Sequence, residues 1–380
     1  MRKFHVFNTT FIFYVLLIMF TLLNENIRAV IYSRGYKPHE VAVGMTLLLL
    51  NFLAMNIGWK IWKFKIPNVV YEVVIILFSF IYFPIGPVIA FILLFFYRKG
   101  VDVYSKSVPI AFVYSLLIPI LAFLVIGVPL FNQSLRFEFS RILGISAYLS
   151  TIAITYSNID RRIKLVYTLM MVAIFFIGTF RSYILWITVA YLLSISKRDV
   201  KAKNTIIVGI AGIAILILSG NIEKLLVRIG FTFLTFTNLA VRGIPWGIYH
   251  GSLLFSPDPR RVVATFLGGE GRYTYLIFGQ PVADFGILGI IESFLIGIMA
   301  KESEIREESL NFTISILVYS IDAGIDNRIL LAIMGAILSG RVRNEEGSSP
   351  ILGRIRFNSL PLLGKEELQR SNNANGKLWE

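Results

Sequence analysis

The feature that most constrains this chain is a succession of long apolar runs, each bounded by charge or by Pro and Gly. They lie near 9–23, 41–59, 67–83, 87–97, 107–131, 142–157, 164–180, 182–196, 205–219, 283–300, 310–325 and 327–340. A bilayer core takes about 20 apolar residues per spanning helix, and lipid leaves a backbone no partner but itself, so spanning segments are helices or closed barrels. The runs therefore predict an all-α integral membrane protein of about 12 transmembrane helices. The run at 87–97 is short and follows Pro84-Ile85-Gly86-Pro87, which predicts a half-helix or a tight hairpin there. Composition agrees: 56% of residues are hydrophobic and 16% charged, against roughly a quarter charged in soluble domains. A soluble enzyme and a disordered chain are both excluded.

The net charge of +14 comes from 37 Lys and Arg against 23 Asp and Glu. In a membrane protein such an excess first reads as positive-inside anchoring, not nucleic-acid binding. With the N-terminus inside, 24 of the 37 basic residues fall on inner segments and 13 outside. Both termini are then expected in the cytoplasm. The membrane domain is expected over 1–340 and a basic, solvated cytoplasmic tail over 341–380. No cleavable signal is expected, because Asn24-Glu25-Asn26 ends the first run without a small-residue cleavage site. Cysteine is absent, which removes disulfides and thiolate chemistry, and His5, His39 and His250 are too scattered for a zinc site. No metal or other cofactor is expected. Neither a phosphate-loop motif nor a dinucleotide fingerprint is present.

Connections are short with one exception, an outward segment over about 220–282. It is not simply polar: it holds Phe231-Thr232-Phe233-Leu234-Thr235-Phe236 and the aromatics Trp246, Tyr249, Phe255, Tyr273, Tyr275 and Phe278. Such a loop is expected to fold into amphipathic or partly inserted helices that roof the bundle, and long structured loops are usually functional. Lys224, Arg228, Arg242, Arg260, Arg261 and Arg272 lie in it, and Arg181 joins them from Phe180-Arg181-Ser182. Positive-inside pressure disfavours cations there, so they need a reason. Arginine's planar fork binds phosphate or carboxylate bidentately, and a group of them at the outer face suits a lipid-linked diphosphate. The plainer reading pairs each with a local acid such as Glu223, Asp258, Glu270 or Asp284. His250 and Glu270, the latter among Gly268, Gly269 and Gly271, are candidate general bases. Their plainer roles are a structural hydrogen bond and a local ion pair. Asp284 is expected to cap a helix N-terminus, and Glu72 and Glu292 show no obvious partner.

This pattern resembles the family of Wzy-type O-antigen polymerases, the oligosaccharide repeat-unit polymerases, within the O-antigen polymerase and ligase superfamily. Gly178-Thr179-Phe180-Arg181-Ser182 is similar to the Gly-x-x-Arg-Ser/Thr hairpin of these polymerases. The stretch from Gly268 through Tyr273-Thr274 to Ala283-Asp284-Phe285-Gly286-Ile287-Leu288-Gly289 is similar to the segment that closes their outer loop, and Arg260 with Gly271 fits an RX10G spacing. The resemblance implies a GT-C-like bundle and a metal-independent, inverting glycosyltransferase acting on polyprenyl-diphosphate-linked oligosaccharides at the outer face. Arg181, Arg242 and Arg272, with Arg228 and Arg260 behind them, would hold the diphosphate, and Glu270 or His250 would serve as base. Donor and acceptor lipid-linked glycans, membrane lipids and a chain-length regulator would be its partners. A single-transfer ligase, a lipid-linked oligosaccharide flippase and a non-catalytic scaffold stand as alternatives.

Overall fold

The computed structural model describes residues 3–33, 35–196 and 222–348. The expected helix over 205–219 and most of the tail lie outside the described residues. The chain divides into two units, Met1–Arg343 and Asn344–Glu380, and the helical bundle belongs to the first. Its helices are α1 (Phe4–Leu23), α2 (Glu25–Ile31), α3 (Pro38–Ile61), α4 (Asn68–Ser79), α5 (Ile85–Arg98), α6 (Val103–Ile126), α7 (Arg136–Tyr156), α8 (Arg161–Ile177) and α9 (Arg181–Ile195). After the gap come α10 (Ile222–Gly243), α11 (Pro259–Phe266), α12 (Gly279–Phe285), α13 (Gly289–Glu302), α14 (Glu307–Ala323) and α15 (Asn327–Ser348). No strand occurs among the described residues. Helix starts follow local chemistry. The side chains of Asn24, Asp102 and Asp160 accept from the backbone N–H groups of Ile27, Ser105 and Arg162, and Pro38 opens α3.

Five helical stretches are long and apolar enough to cross a membrane: Phe4–Leu23, Pro38–Ile61, Val103–Ile126, Ile222–Gly243 and Gly279–Ile305. Three more, Asn68–Tyr82, Ile85–Arg98 and Arg181–Ile195, are apolar but shorter. The expected count of about twelve spans is thus not reached among the described residues. The difference has a physical cause. A helix walled by other helices need not be uniformly apolar, because its polar groups meet protein instead of lipid. In α14, which is buried along almost its whole length, Ser315 and Ser320 donate back to the carbonyls of Phe312 and Ile316. Where α3 and α13 cross, a Cβ on Gly297 would fall 2.0 Å from the Met55 carbonyl oxygen and one on Gly58 2.2 Å from that of Phe294. Only glycine permits that approach, as in other tightly packed membrane helices. The short run at 87–97 is the second arm of the hairpin α4–α5. Glu72, expected to lack a partner, accepts from Arg98 across it at 2.5 and 3.2 Å.

Ion pairs define the two ends of the bundle. At one, Lys3 reaches the Leu193 carbonyl at the end of α9 and Glu307 at the start of α14. Trp62, just past α3, donates to Glu302 at the end of α13. This Lys3 end carries the starts of α1 and α14 and the ends of α3, α9 and α13. Leu23, Pro38, Arg181 and Ala323 therefore sit at the opposite end.

The 22-residue α10, expected as part of an outer loop, is a helix that packs against that opposite end. Arg228 bonds Asp322 near the end of α14, a Cβ on Gly230 would touch Ile31, and one on Gly44, early in α3, would touch Thr237. The segment without a long helix thus narrows to 244–278.

Candidate functional site

The end covered by α10 gathers arginines from five segments around three aspartates. Arg228 Nη2 donates to Asp322 Oδ2 at 2.6 Å, and the Tyr14 hydroxyl donates to the other oxygen at 2.7 Å. Arg272 holds Asp258 Oδ2 through Nε and Nη2 at 2.8 and 2.5 Å and donates to Ser140 Oγ at 2.9 Å. Arg141 Nη2 approaches the same Asp258 oxygen at 3.5 Å. Arg328 pairs with Asp326 at 3.0 Å, while Asp326 also accepts from the backbone N–H of Ile329. Arg136 lies with its guanidinium 5.5 Å from the Phe180 ring centre, within electrostatic range of Arg181 and Arg228. One loop is pinned to this cluster by Asn327, whose Nδ2 donates to the carbonyls of Leu254 and Ser256 at 2.8 and 2.9 Å.

Arg260 is the exception among them. It sits on α11, where Pro259 occupies the first position and starts the helix. Its guanidinium finds one hydrogen bond, a donation to the Tyr319 hydroxyl at 3.3 Å, and its Nε is buried without a partner among the described residues. Tyr319 is itself fixed by stacking on Trp186, with ring centres 4.6 Å apart. Burial disfavours the Arg260 charge, but Tyr319 and Asp326 more than offset it and hold its pKa above the ordinary value. A charge so placed has donors to spare and little water to satisfy them, which is the condition an anionic ligand relieves.

Of the expected residues, the structure brings Arg181, Arg228, Arg260 and Arg272 to this end. Arg242 stands apart. It is exposed, its guanidinium lies 5.3 Å from the Phe266 ring centre, and it follows Arg228 by about 21 Å along α10. His250 and Glu270 both lie on exposed turns of the 244–278 segment, and neither makes a hydrogen bond or ion pair among the described residues. His250 also has positive φ, at 48°. Neither candidate base is bonded to the arginine group among the described residues, although Glu270 stands two residues before Arg272. Nearby Tyr249 is kept neutral: burial, then Asp284, pushes its pKa up to about 12.

Asp284 does not cap a helix start. It lies late in α12, fully buried, and accepts from the N–H groups of Leu253 and Leu254 at 2.9 and 2.8 Å and from Gln280 at 2.9 Å. It holds the loop in place. Gln280 also donates to Glu292 at 3.1 Å, so that acid has a partner too.

Reading along the chain missed Arg136, Arg141 and Arg328 as members of the group, and Asp322 and Asp326 with them. A signal for the last three existed in the charge-dense turn Asp322-Ala323-Gly324-Ile325-Asp326-Asn327-Arg328 between two apolar runs. Among the described residues no group of three or more His, Asp or Glu could hold a metal ion.

Apolar helices, a buried polar cluster at one end and a structured loop pinned over it define a membrane protein with an arginine-rich end face. Within that class the chain is assigned by sequence. The family model described as "Putative O-antigen polymerase" matches residues 5–331, and the chain belongs to that family. No curated protein and no solved structure matches it.

Proposed function

We propose that this chain is a glycosyltransferase that polymerises lipid-diphosphate-linked oligosaccharide repeat units at the outer face of the membrane, with inversion and without a metal. The observation that carries the reading is Arg260, a half-buried guanidinium with a single long hydrogen bond and an unpartnered Nε, set among further arginines. In this reading Arg260, Arg228, Arg272 and Arg181 face the donor's diphosphate. An acceptor sugar hydroxyl attacks the anomeric carbon, the bond from that carbon to the diphosphate oxygen breaks, and the negative charge released there is met by guanidinium groups already in place. The hydroxyl proton goes to Glu270 or His250. Asp258 and Asp322 are less suited to that step, because each is already clamped by an arginine, whereas both candidate bases are open to an acceptor arriving from solvent. Arg242, apart from the cluster, would touch the glycan or the membrane surface instead of the diphosphate.

The same reading places the Lys3 end in the cytoplasm. Lys60, Lys63, Lys65, Arg161, Arg162 and Lys301 all fall at that end, as positive-inside anchoring requires. It keeps a membrane domain followed by a cytoplasmic tail, with the boundary moved past 340 because Arg341 and Val342 are buried in the bundle. A chain-length regulator would meet the polymerase from the outer side.

The test is turnover by the purified full-length chain in nanodiscs with a polyprenyl-diphosphate oligosaccharide, beside Glu270→Gln and His250→Gln. A ladder of regularly spaced glycans is expected, with one of the two variants slowed by about 10²–10⁴. A single transfer would make the chain a ligase. No glycosidic product from the native glycan would sink the enzyme reading.

A further inference from the structure

A cavity of about 330 Å3 lies between the α4–α5 hairpin and α15. One wall is Ile89, Ala90 and Leu93 of α5, and the facing wall includes Leu331 of α15. Tyr82 and Arg328 stand at one end, while Tyr104 and Ser339 stand at the other. Between Arg328 and Ser339 the helix rises about 17 Å, so the space is a slot along the bundle and not a spherical hole. Ile89 and Leu93 line it and are also exposed, so it opens sideways to the surroundings of the bundle.

The chemistry is asymmetric along its length. At the deep end the polar groups are already occupied: Tyr104 bonds Tyr148 and the Ala332 carbonyl, and Ser339 accepts from the Tyr104 backbone N–H and bonds Asp102. They offer little to a polar guest. At the other end Arg328 is exposed on one side, and it lies within electrostatic range of Arg260 and shares Asp326 with it. The slot therefore begins at the arginine cluster and descends as a hydrocarbon-lined channel toward the Lys3 end.

The geometry points to this slot as the seat of the polyisoprenoid chain of a lipid diphosphate, with Arg328 as a further contact to the diphosphate at its mouth. The inference rests on the functional reading above. It adds where the lipid lies and which residue, outside the outer loop, meets its head. A single slot admits one chain, which favours a one-chain lipid over a two-chain phospholipid. The arginine-rich mouth matches a head carrying more charge than a phosphodiester.

The experiment is photo-labelling of the wild-type full-length chain in nanodiscs with a sugar-free polyprenyl diphosphate carrying a diazirine along its chain, and with a phospholipid carrying the same group on one acyl chain. Labelled residues are mapped by peptide mass spectrometry. The polyprenyl probe is expected to mark α5 and α15 at residues such as Ile89, Leu93 and Leu331, with little phospholipid label there. Equal labelling by both probes would make the slot a general lipid site, and labelling spread evenly over the bundle would remove it as a site; either overturns the inference.

Turnover gives a second readout. Ala90→Trp fills the slot, and it is expected to raise the ratio of KM for a long-chain donor to KM for a two-isoprene donor by about tenfold or more. Val125→Trp, on an exposed part of α6 away from the slot, is expected to leave that ratio as it is. An unchanged ratio in Ala90→Trp contradicts the inference even if the function stands. If the wild type forms no glycan from either donor, the functional reading fails while the labelling still decides whether the slot holds the isoprenoid.

Discussion

The two ends of the bundle handle charge in opposite ways. At the Lys3 end three buried cations are matched to carboxylates, Lys3 to Glu307, Arg306 to Asp102 and Glu308, and Arg341 to Glu302, while Lys164 donates to the Ser157 carbonyl. Arg341 is a fully buried side chain whose Nη1 reaches the Ile66 carbonyl and Asn68, while its Nε is buried without a partner among the described residues. At the opposite end Arg136, Arg141, Arg228, Arg260, Arg272 and Arg328 share Asp258, Asp322 and Asp326, and among the described residues the Arg260 guanidinium bonds only a phenol oxygen. The first arrangement neutralises itself and fastens helices together. The second leaves positive charge in a partly desolvated place, which costs stability unless an anion completes it. Charge balance of the first kind suits a structural network, and the excess of arginine over carboxylate at the opposite end is what motivates the proposed ligand site.

The largest effect should come from breaking the closed end. Arg341→Ala leaves the buried Glu302 without its cation, with only the Trp62 and Ile66 N–H groups still donating to it, so a loss of about 3–5 kcal/mol is expected. It would be read as a lower temperature of half-loss of the monodisperse protein on heating in detergent. A variant as heat-resistant as the wild type would show that the pairing there is dispensable. Arg260→Ala should do the reverse. It removes a cation that the fold does not fully satisfy, so heat resistance is expected to hold, while glycan formation falls by about 10²–10³ as expected for a lost donor to a developing anion. Arg272→Ala sharpens the contrast because it touches both functions. It frees Asp258 and Ser140 as well as a guanidinium, so a loss of about 1–3 kcal/mol of stability accompanies lower turnover. Arg242→Ala should be the mildest, about 0.5–1 kcal/mol from an exposed contact with the Phe266 ring. Its KM for the donor diphosphate is expected to stay within about twofold, less than half a kcal/mol.

The sequence makes some of this plain and hides the rest for physical reasons. Apolar runs bounded by charge mark helices well, because a bilayer demands length and apolarity together, and the runs among the described residues fall mainly on helices, the one at 283–300 spanning the break at Gly286 between α12 and α13. The hairpin at Pro84 was likewise visible. What the pattern does not carry is which helices face lipid, and so a count by run length overstates the spans that pass on length and apolarity. The matched ends were invisible for a different reason. Lys3 and Glu307, or Asp102 and Arg306, are joined only by the fold across most of the chain. At the site the outer arginines were legible as an anomaly against positive-inside pressure. Arg242 ranked ahead of Arg228 because the helix that carries both reads as loop, which hides that the two lie about 21 Å apart along it. Asp284 lay beside a helix start in the sequence, but Gly286, with φ of 59°, breaks the chain after it and turns the carboxylate onto Leu253 and Leu254.

The central claim is that the incompletely paired end receives the diphosphate of a lipid. It is tested most directly by titrating sugar-free polyprenyl diphosphate into the full-length protein in nanodiscs, for the wild type, Arg260→Ala and Arg161→Ala at the Lys3 end. Binding is expected to weaken by about tenfold or more in Arg260→Ala and to stay at the wild-type level in Arg161→Ala. Equal affinity in all three proteins would contradict it.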